Sequence, residues 1–177
     1  DDIKRRDFTT PIGRLSFPHV FRPELALEEG KQPQFACGLI FDEGVDLSVL
    51  EKMIEDCIKE QWGNKRPAGL KLPIRNGAEK PHIAGLGEGT RFITARSLRK
   101  PPVVDANKVG ITDEAVIYGG AYGKINLTPY AFDKGLSKGV ALALNAVQFI
   151  RDGEPFGSVV DVDSAFGDET EAAGGWG

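Results

Sequence analysis

Histidine and cysteine are scarce in this chain: His19, His82, Cys37 and Cys57 are all it holds. They form no C-x-x-C or H-x-x-x-H spacing, which argues against a zinc site. Two cysteines are too few for a disulfide scaffold. Each sits in an apolar pattern, so both read as buried free thiols. Neither histidine is placed to activate Cys57, which falls among the core positions of a helical pattern. No apolar run approaches the ~18 residues that a membrane-spanning helix needs. The opening DDIKRRDFTT has no apolar h-region, so no signal peptide is expected. The GLGEG at 85–89 lacks the preceding strand and following helix of a dinucleotide fingerprint. The acidic pairs Asp161/Asp163 and Asp168/Glu169 lie among alanine and glycine, a poor cage for a divalent ion. The sequence therefore calls for no metal, no cofactor, no membrane and no enzymatic activity.

Basic side chains are missing from one place. Residues 152–177 hold seven acids and no base, whereas 1–151 hold 22 bases against 19 acids. The bases concentrate in 65–100, with nine of them against Glu79 and Glu88. A basic body carrying an acidic tail suggests a polyanion partner for the body. At 177 residues the chain suits one domain. The expected division is a folded domain over 1–157 and a flexible acidic tail over 158–177.

Periodicity within the body is mostly that of strands. GRLSFPHVF (13–21) alternates, placing Leu15, Phe17, His19 and Phe21 on one side, with Pro18 marking an edge or a bulge. QFACGLIF (34–41) alternates Phe35, Cys37, Leu39 and Phe41 against small or polar partners, so 14–41 reads as a long hairpin. RFITARSLRKPPVVD (91–105) sets Phe92, Thr94, Arg96 and Leu98 opposite Arg91, Ile93, Ala95, Ser97 and Arg99. The stretch 114–133 reads as one bent strand or two, and 140–150 as a last strand apolar on both faces. One helix is expected over about 46–62, where Leu47, Leu50, Ile54 and Trp62 recur at helical spacing. Ser48 with Glu51 offers a capping box, Asp46 is an alternative cap, and Gly63 is the stop. A long basic loop fills 63–90. The expected fold is mainly β: an OB-fold-like antiparallel barrel of five or six strands with one helix.

The stretch AYGKINLTPYAF (121–132) carries the chemistry. Ile125 and Leu127 point one way; Tyr122, Lys124, Asn126, Thr128 and Tyr130 point the other. An exposed row of tyrosine, lysine and tyrosine suits a nucleic acid with unpaired bases. Stacking a base on an aromatic ring is worth about 1–3 kcal/mol and tolerates any base. Duplex DNA does not offer its base faces, so single strands are favoured. Tyr118 and Phe132 extend the candidate platform. Arg91, Arg96, Arg99 and Lys100, with the loop residues Arg75 and Lys80, form a candidate phosphate track. The tail, tethered beside that track, would compete with DNA as an intramolecular anion. It is also a candidate dock for replication or recombination proteins, with Phe166 and Trp176 as anchors.

Three segments carry a resemblance: GRLSFPHVFRP, RKPPVVD, and the block from Tyr118 to Gly157, YGGAYGKINLTPYAFDKGLSKGVALALNAVQFIRDGEPFG. They resemble a family of bacteriophage single-stranded DNA-binding proteins, and the likeness covers most of 13–166. It implies an OB fold, binding of single strands regardless of sequence, and a role in phage DNA replication or recombination in the cytoplasm of an infected cell. Tails of such phage proteins end in a dense acidic run closed by an aromatic residue. Here GDETEAAGGWG is less acidic and ends in Gly177. A strand-annealing recombination mediator and a phage interaction module that binds no DNA are the alternatives. The sequence sets no oligomeric state.

Overall fold

The computed structural model describes residues 6–24 and 30–156. The expected tail over 158–177 lies outside them. Among the described residues, eight strands form one mixed sheet. In chain order they are β1 (Phe8–Thr9), β2 (Gly13–Glu24), β3 (Gln34–Phe41), β4 (Arg75–Asn76), β5 (Arg91–Ser97), β6 (Val103–Val104), β7 (Tyr122–Lys134) and β8 (Ser137–Arg151). Helix α1 (Ser48–Trp62) follows β3. The mainly β, OB-fold-like architecture with one helix is thus observed, with more strands than the pattern suggested. The additional ones are two-residue pieces.

The pairings run in a cycle: β7 to β2, β2 to β3, β3 to β5, β5 to β8, and β8 back to β7. Two seams are thin. β2 meets β7 only at Gly13↔Gly123 and Arg14↔Tyr122, and β5 meets β8 only at Arg96↔Ala143. The ring is therefore loosely closed and not the clear barrel expected. Nor is it wholly antiparallel, since β8 runs parallel to both β5 and β6. The long connections between those strands bring β8 back in the same direction.

Inward alternation builds the core from Leu15, Cys37, Leu39, Ile93, Ile125, Leu127 and Val147, each buried. Burying a leucine or isoleucine of this kind contributes about 1.5–3 kcal/mol. Burial pushes the Cys37 thiol up to about 12, so it is inert at neutral pH. Helix α1 lays Leu50, Ile54, Cys57 and Ile58 on the sheet, over β7 and β8. The Ser48–Glu51 capping box does not form. Instead the Asp46 carboxylate accepts the Ser48 N–H at 2.9 Å. Its bonds to Ser48 hold that carboxyl below its usual range. Glu51 turns to Arg91, 3.3 Å away. Gly63 ends the helix as expected, its N–H donating to the Lys59 carbonyl at 2.7 Å.

Alternation fails in β8 between Leu144 and Val147, and in β2. β2 buries Leu15 and Val20, so Phe17 does not share the side of Leu15. Ser16 pairs with Gly38 and His19 with Ala36, so β2 carries one residue more than β3 between those rungs. This bulge, at the proline-containing position, reverses which residues face inward. Phe17 ends up outside, 63% exposed.

Candidate nucleic-acid interface

The outer face of β5 is the centre of the candidate site. Ile93 and Ala95 enter the core, so Phe92, Thr94 and Arg96 point outward. Beside them, β3 presents Ala36 and Gly38, and β2 presents Ser16, through the cross-strand row Ser16–Gly38–Thr94. Small side chains in that row leave a shallow floor. The 63–90 segment forms one wall. β4 pairs with β5 through Arg75↔Phe92, and a 3-10 turn over Gly77–Glu79 follows. Upstream, the Lys71 N–H donates to the Lys138 carbonyl at 2.9 Å, and the Lys71 carbonyl accepts the Val140 N–H at 2.9 Å. That docking needs Gly139, because a Cβ there would stand 2.2 Å from the Lys71 oxygen. The β7–β8 hairpin, on which that segment docks, lines the groove with Tyr130, Val140, Ala141 and Leu142.

The result is an open groove of about 800 Å³. Phe92 and Tyr130 are its aromatic rings; Lys71, Arg75, Lys80 and Arg96 are its cations. Tyr130 is 48% exposed. The Arg75 guanidinium lies 5.3 Å from the Phe92 ring centre and pairs with Glu79 at 3.7 Å. A smaller hollow of about 170 Å³ shares Lys80, Phe92, Thr94 and Arg96 with the groove and continues it toward Phe17. There Glu24 holds Arg96 at 3.1 Å and His19 at 3.2 Å. The groove is therefore cationic but not free of acid.

Of the residues singled out from sequence, Tyr130, Arg75, Lys80 and Arg96 come together here. The others do not. Tyr122 is at the far end of β7, eight residues from Tyr130, or roughly 26 Å along an extended strand. Its ring is held between Arg151 at 4.3 Å and Arg14 at 5.6 Å. Arg14 also lies 4.2 Å from the Phe156 ring. Tyr118 precedes β7 rather than lying in it. Its hydroxyl bonds the Asp152 carboxylate and the Gly153 carbonyl, each at 2.9 Å, and accepts the Gly153 N–H at 3.0 Å. Burial and Asp152 raise its pKa against the opposing Gly153 bond. Both rings thus fasten the strap 152–156 to the sheet.

Lys124 faces outward beside Gln148, between the two tyrosines. Phe132 lies further toward the hairpin tip, opposite Gly139. Arg91 is on the core side of β5, donating to the Val45 carbonyl at 2.6 Å as well as to Glu51. Arg99 and Lys100 follow the end of β5, with Lys100 over the Phe21 ring at 5.0 Å. Sequence reasoning missed Phe92 as a site residue, although it alternates with Arg96. It also missed Lys71, whose place depends on the docked loop.

Comparison with known proteins places the chain in a family. Residues 8–175 match the family model described as the Enterobacter phage Enc34 ssDNA-binding protein. The chain belongs to this family. A relative, putative protein p50 of Acyrthosiphon pisum secondary endosymbiont phage 1, is 29% identical over 163 residues, spanning 85% of this chain and 87% of its own. The fold is similar to that of the single-stranded DNA-binding protein from bacteriophage Enc34, solved in complex with ssDNA. The TM-score is 0.70 at 24% identity, covering 86% of this chain and 90% of that one. It is also similar to gp2.5, a single-stranded DNA-binding protein encoded by bacteriophage T7, with a TM-score of 0.64 at 16% identity, covering 92% and 95%. The resemblance read from the sequence is thereby confirmed at the level of the family. No helix among the described residues is long and apolar enough to cross a membrane.

Proposed function

We propose that the chain binds single-stranded DNA without sequence preference in the groove over β5 and serves phage DNA replication or recombination. The observation that carries this is the pairing of two rings, the exposed Tyr130 and the partly buried Phe92, with Lys71, Arg75, Lys80 and Arg96 on one concave face. Aromatic rings take any unpaired base, and the cations take the phosphates between. Family membership points the same way.

The acidic tail belongs to this reading as a competing anion. The strap leads Phe156 onto Gly85, where a Cβ would stand 2.5 Å from the ring. Ile83 and Leu86, on either side of Gly85, line the hollow that continues the groove. Phe156, the last described residue, thus packs beside the hollow, and on this reading deleting 158–177 should raise affinity at low salt. The main test is a fluorescence titration with oligo-dT at two salt concentrations. Tight binding that weakens with salt, with duplex of the same length bound poorly, is expected because neutralised phosphates release counterions. Equal affinity at both salts, or preference for duplex, overturns the proposal.

A further inference from the structure

Among the described residues, Phe17 and Lys108 are the non-glycine residues with a positive φ, and Phe17 is the one that lies in a strand. Its φ is +46°, a left-handed value that strains the backbone of a non-glycine residue. Pro18 follows it, and a residue before proline is further restricted toward extended backbone. The ring placed by this strain is 63% exposed and lies outside the buried core. A bulge in β2 aims it there, against the alternation that would turn it inward beside Leu15. It lines the same hollow as Phe92, Lys80 and Arg96.

From the β7–β8 hairpin the concave face thus offers Tyr130, then Phe92, then Phe17, with cations interspersed. We infer that Phe17 is a base-stacking residue at the far end of the DNA track, held outward by a strained bulge. This deepens the single-strand reading and rests on it. Aromatic stacking is the chemistry that suits the position, because an exposed ring beside a phosphate-binding cation has a flat π-face to offer a base. Strain kept at a ligand-facing residue also pre-organises the ring, so less conformational freedom is given up on binding.

The experiment is a titration of the full chain with oligo-dT of graded length, comparing wild type, Phe17→Gly and Phe17→Trp. Glycine takes the left-handed conformation freely, so the Phe17→Gly protein should melt no lower than wild type. Its affinity for the longest oligonucleotides should fall about ten-fold, while short ones that do not reach the end of the track bind nearly as before. The Phe17→Trp protein should keep its affinity, and its fluorescence should be quenched by oligo-dT beyond the wild-type change. Unchanged long-oligonucleotide affinity in Phe17→Gly, or an unquenched tryptophan at this position, overturns the inference while leaving the groove intact. Failure of the wild-type chain to bind oligo-dT at any length overturns the single-strand reading itself.

Discussion

The Arg75 guanidinium stands over the Phe92 ring, 5.3 Å from its centre, at the middle of the groove. The pair joins the two groups that a single strand needs, a flat face and a fixed positive charge. It also depends on two segments far apart in sequence, brought together by the β4–β5 pairing.

Phe92→Ala should weaken oligo-dT binding by about 1–3 kcal/mol, and Phe92→Tyr should restore it. Arg75→Ala should instead flatten the salt dependence, reducing the slope by about 0.7 because one phosphate is no longer neutralised. Affinity measured across a salt series separates the two. Normal binding by Phe92→Ala would move the platform away from β5.

The two tyrosines of β7 should behave differently. Tyr130→Ala is expected to lose affinity by about 1–3 kcal/mol with its melting temperature kept, since the ring is half-exposed in the groove. Tyr122→Ala removes the ring between Arg14 and Arg151 and should loosen the strap. It should lower stability by about 1–2 kcal/mol, from two cation–π interactions, with binding kept. Thermal melts alongside titrations decide this, and a binding loss in Tyr122→Ala without destabilisation would reverse the assignment.

Glu24 should oppose DNA. It neutralises Arg96 at 3.1 Å, so a phosphate arriving there displaces a carboxylate. Glu24→Gln keeps the shape and removes the charge. It is expected to raise affinity several-fold at low salt and steepen the salt slope by about 0.7. No change in either would mean that Arg96 meets no phosphate.

Gly139→Ala should damage the groove from outside it. The added Cβ would stand 2.2 Å from the Lys71 carbonyl oxygen, a backbone atom already bonded to the Val140 N–H. Overpacking of this kind costs about 1–3 kcal/mol. Hydrogen exchange should show the Val140 amide losing protection, and affinity should fall as the Lys71 wall moves. Full protection at Val140 would show that the loop docks without needing the glycine.

Much of this was legible in the sequence because it rests on local periodicity. The hydrophobic spacing of α1, the alternation of β5 and β7, and the small residues Ala36 and Gly38 opposite the core side of β3 each follow from neighbours a few positions apart. So does the excess of cations in 65–100, which includes Lys71, Arg75, Lys80 and Arg96. The family resemblance rests on contiguous segments as well. The extra short strands were not legible, because a two-residue strand has no period to detect.

What only the tertiary structure decided is which of these groups share a surface. Tyr122 and Tyr130 look equivalent along one strand, yet one is held by arginines from β2 and β8 while the other opens onto the groove. Arg91 and Arg96 look equivalent in one basic stretch, yet five residues of β-strand turn them to opposite faces. The bulge at Phe17 exchanges inside for outside; Pro18 marks an edge or a bulge, but only the pairing with β3 shows that β3 has one residue fewer between the same rungs. Sequence sets the chemistry available to a chain and the period of each element. The pairing of distant strands fixes who stands beside whom, because long-range hydrogen bonds and close packing are satisfied only by the whole ring at once.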